Sequence, residues 1–118
     1  MKRELGDFIQ DMADSIADIE DFVKGFDFDT FCQDRKTVYA VIRAFEIMGE
    51  AAKNIPDTIR NENPDIPWKQ IAGMRDKLIH GYFGVDTMTV WKSAKKDIPQ
   101  LKQSFFKVME KEQKKEMT

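Results

Sequence analysis

The sequence predicts an all-α protein, a four-to-five-helix up-down bundle, and three observations predict it. Apolar residues recur at steps of three and four through several long stretches, and no stretch alternates with the period of two that marks a strand. Glycine and proline are few, 6 and 4 in 118 residues, and most of them fall between the periodic stretches. With 42% hydrophobic residues the chain can build one core, so a single domain is expected over residues 1–109, followed by a charged tail over 110–118.

The first helix is expected from Leu5 to Val23, where Leu5, Phe8, Met12, Ile16, Ile19 and Val23 form one face and Asp11, Asp14, Asp18 and Asp21 occupy the others. Gly25 ends it. Phe26-Asp27-Phe28-Asp29 then reads as a link whose phenylalanines plug the end of the core, with Asp29 or Thr30 capping the next helix and Cys32 a small apolar filler. That second helix is expected over about Phe31 to Ile55 and carries Val38, Val41, Phe45, Met48 and Ala52; Pro56 stops it.

Residues 57–63 form a short helix and Pro64-Asp65-Ile66-Pro67 a turn. The turn delivers Trp68 into a helix reaching Ile79, which packs through Ile71, Met74 and Leu78 and is closed by Gly81 and Gly84. Asp86 caps a last long helix with Trp91, Ala94, Ile98, Leu101, Phe105 and Val108 inside and a kink at Pro99. Beyond Met109 the apolar stripe is lost, so fraying is expected there. The second helix has an extra stripe, Tyr39, Ile42 and Gly49, which fits either a homodimer seam or a helix buried on two sides within its own bundle. A glycine inside a helix costs about 1 kcal/mol relative to alanine, a cost that a closely approaching backbone offsets.

Composition narrows the function. No apolar run comes near the ~20 residues that span a bilayer, and the N-terminus turns acidic where a signal peptide would turn apolar; a cytoplasmic location is expected, with no membrane partner. One cysteine and one histidine cannot make a tetrahedral zinc site in a single chain, so neither metal nor cofactor is expected. A hard cation on carboxylates such as Asp76 or Glu50 would lack the usual Asp/Gly-rich loop. The net charge of −2 divides into −7 over residues 1–34 (3 basic, 10 acidic) and +5 over residues 35–118 (16 basic, 11 acidic). Sequence-blind nucleic-acid binding over the whole surface is disfavoured, because it depends on neutralising phosphates; any RNA contact is local.

The stretch Arg75-Asp76-Lys77-Leu78-Ile79-His80-Gly81-Tyr82 stands out, since it sets the only histidine between an arginine and a tyrosine. Imidazole takes and gives protons near neutral pH, and guanidinium presents a fork of donors to phosphate oxygens. RNA is cut without metal when a base removes the 2′-hydroxyl proton, an acid protonates the leaving 5′-oxygen and a cation stabilises the phosphorane. A symmetric dimer bringing two copies of His80 to one cleft would supply both proton-transfer roles. Residues five apart on an ideal helix point about 140° away from each other, so Arg75 and His80 converge only if the helix unwinds near Ile79 or a partner subunit completes the site.

The plainer alternative has Arg75 and Asp76 in solvated ion pairs, His80 at a helix C-terminus and Tyr82 at the core rim. The polar stripe Arg43, Glu46, Glu50 and Asn54 reads either as support, with Glu50 orienting Arg75 or His80, or as a solvated face. Trp68 and Trp91 read as core anchors before stacking platforms.

The form Arg, four residues, His, any residue, Tyr, from Arg75 to Tyr82, resembles the signature of the HEPN superfamily, and in particular the HepT toxins of HepT/MntA toxin-antitoxin pairs. Ala44 to Ala52, Ile66-Pro67-Trp68, Gly73 to Asp86, Val90-Trp91 and Ile98-Pro99-Gln100-Leu101 resemble that family in the same order. The resemblance implies a HEPN-like homodimer acting as a metal-independent ribonuclease toxin in a dimer-interface cleft, with Arg75 and His80 catalytic. It also implies that a partner nucleotidyltransferase antitoxin silences the toxin by transferring AMP from ATP to Tyr82. Two readings of other classes remain beside it: a non-catalytic helical module that binds nucleotide or substrate for a nucleotidyltransferase, and a structural dimerisation protein.

Overall fold

The structure, a computed structural model, describes residues 3–79 and 84–117 and is built of helices. Among the described residues there is no strand beyond one isolated antiparallel bridge between Ile79 and Val85. In chain order the helices are α1 (Leu5–Val23), α2 (Phe28–Gln33), α3 (Arg35–Lys53), α4 (Asp57–Glu62), α5 (Trp68–Ala72), α6 (Met74–Leu78), α7 (Thr87–Lys92) and α8 (Ile98–Met117). A π-helical turn, Ser93–Asp97, joins α7 to α8.

The long helices α1, α3 and α8 carry the core. α1 lies along α3 and α8 packs on α1, so that Met12, Ile16 and Ile19 meet a shared interior with Val41, Phe45, Met48, Phe105 and Val108, all buried. Each large side chain removed from water there contributes on the order of 1.5–3 kcal/mol. The apolar spacing of the sequence identifies this interior, although Leu5 and Phe8 sit at its edge, only partly buried. α1 begins at Leu5, where Glu4 and Asp7 form a reciprocal capping box.

The second expected helix is interrupted. Phe28–Gln33 is a separate short helix that begins inside the expected link, because Asp27 caps it by accepting from the Thr30 N–H at 2.8 Å. Asp34 then caps α3 through the Thr37 N–H at 3.1 Å, so the break falls four residues after the expected cap at Thr30. Cys32, expected as core filler, is exposed. The helix expected from Trp68 to Ile79 also divides, at Gly73, into α5 and α6.

Pro99 sits in a continuous helical run immediately after the π turn, in which the Ile98 N–H reaches back to the Ser93 carbonyl. The wider π spacing accommodates the missing donor and the bulk of the proline ring, which an α-helical interior does not tolerate well. The expected fraying beyond Met109 gives way to helix as far as Met117. The Lys111 ammonium donates to the Glu62 carbonyl and Asn63 Oδ1, both at 3.2 Å, and Lys115 pairs with Glu62 at 2.7 Å, so the tail is docked on α4 through polar contacts that an apolar periodicity does not register. No helix among the described residues is long and apolar enough to cross a membrane.

Candidate functional site

The site is assembled where α3 meets the α5–α6 pair. Gly49 of α3 is buried, and a Cβ placed on it would stand 2.9 Å from the Ile71 carbonyl oxygen, so α5 approaches to a distance that only glycine allows. The close approach expected at Gly49 is therefore made by the chain's own bundle. Ile42 of the same stripe is buried too, whereas Tyr39 is half exposed. The break at Gly73 follows directly, and α6 carries Arg75 alongside α3.

Arg75 Nε donates to Glu46 Oε2 at 3.0 Å. The Glu46 side chain is 25% exposed and that of Arg75 63%, so the carboxylate is the anchored partner and the guanidinium extends outward. Around them a cavity of about 390 Å³ is lined by Arg43, Glu46, Gly49, Glu50, Lys53 and Arg75, with Gly73 and Asp76 on the α5–α6 side. Three cations and three carboxylates share this groove, which makes it a polar, mixed-charge surface.

The helix ends near Ile79, the position at which the expected convergence of Arg75 and His80 would need it to unwind. α6 stops at Leu78, and Ile79 has extended backbone (φ −118°, ψ 116°). The Asp86 N–H donates to the Leu78 carbonyl at 2.8 Å, the Ile79–Val85 bridge lies beside it, and Asp86 caps α7 through the Thr89 N–H at 3.1 Å. Gly84 adopts φ +85°, a left-handed conformation in which a side chain is strained. His80 and Tyr82, the expected proton-transfer residue and AMP acceptor, lie outside the described residues.

The supporting stripe is arranged differently from the expectation. Glu46, rather than Glu50, holds Arg75; Glu50 pairs with Lys53 at 3.2 Å and both are exposed. Asn54 donates to the Glu50 carbonyl at 2.9 Å and closes the end of α3, while Arg43 is exposed on the groove wall. Glu46 and Glu50 lie one turn apart on α3, and which of them faces Arg75 depends on the register of α6 against α3. That register is set by the Gly49–Ile71 contact, which the sequence does not display.

Trp68 is buried with its indole N–H donating to the Asn63 carbonyl at 3.1 Å, and Trp91 packs on Phe31 with ring centroids 5.0 Å apart; both anchor the bundle. Sequence reasoning missed Arg60, whose Nη2 and Nε donate to the Ala52 and Ile55 carbonyls at 2.7 and 3.0 Å. A basic residue shortly after a helix-ending proline was the available signal.

These helices, with Arg75 on a short terminated helix beside a polar groove, define an all-α protein of the HEPN-like class. The chain belongs to the HepT-like ribonuclease family, whose model, described as "Ribonuclease HepT-like", matches residues 12–108. It is 52% identical over 108 residues to a Thermococcus cleftensis protein named probable ribonuclease HepT, covering 92% of this chain and 98% of the relative. A Methanocaldococcus jannaschii protein whose name marks it as a candidate RNase is 48% identical over 108 residues, 92% of this chain and 93% of its own. A similarly named protein of Caldanaerobacter subterraneus subsp. tengcongensis is 46% identical over 90 residues, covering 76% and 80%. No solved structure matches the chain.

Proposed function

We propose that this protein is an RNA endonuclease that works without a metal ion and serves as the toxin of a toxin-antitoxin pair. Two things support the reading: membership of a ribonuclease family, and an arginine held outward at the mouth of a groove beside an unwinding helix end. The second carries the mechanism. Because Glu46 engages Nε, the terminal amino groups of Arg75 remain for phosphate oxygens, and among the described residues no other side chain claims them.

In the proposed reaction His80 of one subunit removes the 2′-hydroxyl proton, and the 2′-oxygen attacks phosphorus. The bond to the 5′-oxygen then breaks as a second His80, from the partner copy in a homodimer, gives that oxygen a proton. A 2′,3′-cyclic phosphate and a 5′-hydroxyl result. Arg75 stabilises the charge that builds on the phosphorane. Arg43 and Lys53 add positive charge to the same groove, which Glu50 also lines, and Asn54 closes the end of α3. The cytoplasm, where RNA is synthesised, is the corresponding location.

Control falls to Tyr82. Its phenolic oxygen attacks the α-phosphorus of ATP bound to a partner nucleotidyltransferase, pyrophosphate leaves, and an AMP group is joined to the ring. Two residues from His80, that group places bulk and negative charge where an RNA phosphate is to sit.

The test is incubation of purified protein with RNA in EDTA. Cleavage is expected, lost in Arg75→Ala and His80→Ala proteins that fold and associate as the wild type does. Cleavage that persists in both variants overturns the residue assignment. Binding of RNA or nucleotide by a wild type that leaves RNA intact points instead to a non-catalytic module.

A further inference from the structure

We propose that Glu46 is a positioning residue for RNA cleavage, acting through Arg75. The inference rests on the nuclease reading and adds a residue and a direction of action to it. Three observations carry it. The contact joins residues 29 apart in sequence, from α3 and α6, so it is a feature of the tertiary fold rather than a pair of helix neighbours. Its burial is asymmetric: the Glu46 side chain is three-quarters buried, on a helix whose neighbouring Phe45 and Met48 are fixed in the core, while the Arg75 side chain is mostly exposed. The carboxylate meets Nε, on the side of the guanidinium, and leaves the terminal edge for a second oxyanion.

A guanidinium at the end of a long flexible side chain is a poor electrostatic catalyst unless its orientation is set beforehand, since stabilisation counts only where charge develops. A carboxylate at Nε restricts the last rotations and aims the outer edge away from α3. Its negative charge also lowers the general attraction of the groove for phosphate, so Glu46 favours orientation over affinity. Removal of Glu46 therefore slows turnover without weakening RNA binding. A residue that mattered only for folding would lower the amount of competent protein and leave the properties of each competent molecule unchanged.

The experiment is steady-state cleavage of a labelled single-stranded RNA in EDTA by wild type, Glu46→Ala, Glu46→Gln, Arg75→Lys and the Glu46→Ala/Arg75→Lys double variant. Active-site concentration is normalised by folded fraction. For Glu46→Ala we expect kcat to fall by about tenfold to a hundredfold, with KM unchanged or lower. Glu46→Gln, which still accepts from Nε, recovers most of the loss. In the Arg75→Lys background, which lacks Nε, Glu46→Ala has no further effect, because the two residues act as a unit. Melting temperatures stay within about 3 °C, as befits an ion pair whose guanidinium is mostly exposed. Unchanged kcat in Glu46→Ala, or a full additional loss in the Arg75→Lys background, overturns the proposal while leaving the nuclease reading intact. A wild type that cleaves no RNA overturns the nuclease reading and this inference with it, whereas an Arg75→Lys protein as active as wild type overturns the role of Arg75 and this inference while leaving cleavage itself in place.

Discussion

The α-carbon of Gly49 faces the backbone carbonyl of Ile71 so closely that a methyl group on Gly49 would reach within 2.9 Å of the carbonyl oxygen. The obstacle is backbone, not the movable end of a side chain. Alanine gains about 1 kcal/mol of helix propensity over glycine, yet relieving the contact requires α5 to move away from α3. Overpacking of this kind costs about 1–3 kcal/mol, so Gly49→Ala is expected to be destabilising by about 1 kcal/mol net in urea unfolding. The same displacement carries α6 with it. Cleavage by the folded fraction should therefore fall as well, through loosening of the Arg75–Glu46 contact.

Arg60 closes the end of α3 from outside the helix. Its two hydrogen bonds to the Ala52 and Ile55 carbonyls are partly buried; the Ala52 oxygen also accepts from the Ile55 N–H at 3.2 Å, so Arg60 adds a second donor there and ties down the chain just past the helix. Arg60→Ala is expected to lower unfolding free energy by about 1–3 kcal/mol, since hydrogen bonds from a charged donor contribute more than neutral ones. Arg60→Lys should recover only part, because a single ammonium does not reproduce the fork that spans both oxygens. Denaturant midpoints of the three proteins check this.

The bundle was legible because its buried faces are long. Met12, Ile16, Ile19 and Val23 repeat over the whole of α1, and α1 runs between the residues its pattern predicts. Legibility fails where a local polar contact decides the outcome. The same Asp-x-x-Thr arrangement occurs at Asp27–Thr30 and Asp34–Thr37, and these two caps divide one apolar run into α2 and α3. At the site, Arg75 is conspicuous by composition and by its motif. Its partner is not: Glu46 and Glu50 are chemically identical and one turn apart, and the choice depends on a glycine in α3 meeting a carbonyl in α5. A contact between segments over 20 residues apart leaves no periodic trace in either.

The cap at Asp27 gives a pH dependence whose sign is fixed. Hydrogen bonds from the Thr30 backbone and side chain hold the Asp27 carboxyl below its ordinary value of 3.8. In the unfolded chain those bonds are absent, so the proton binds more readily there. The contribution of Asp27 is therefore fully present above about pH 4, the region of the ordinary Asp value, and disappears as pH falls through the lower folded-state value. Asp27→Ala should be less stable than wild type at neutral pH, and the gap should close on acidification. Thermal melts of both proteins from neutral pH down into the acid range measure it; a gap that stays constant rules out the ionised cap as its source.

Tyr82 separates control from chemistry if the proposed switch is correct. Phenylalanine keeps the ring and removes only the oxygen that would attack ATP, so Tyr82→Phe protein should cleave RNA to within about threefold of wild type, a ring-preserving change being among the mildest available. Incubation with ATP and the proposed partner nucleotidyltransferase should add AMP, a mass increase readable by intact-protein mass spectrometry, to wild type and not to Tyr82→Phe. Cleavage by the modified wild type should fall, because a phosphate joined at Tyr82 would repel the RNA backbone that Arg75 is proposed to receive. Cells carrying both genes should then survive with wild type and stop growing with Tyr82→Phe. Protection of the Tyr82→Phe strain would mean that the partner restrains this protein by binding alone, and the phenolic oxygen would have no part in its control.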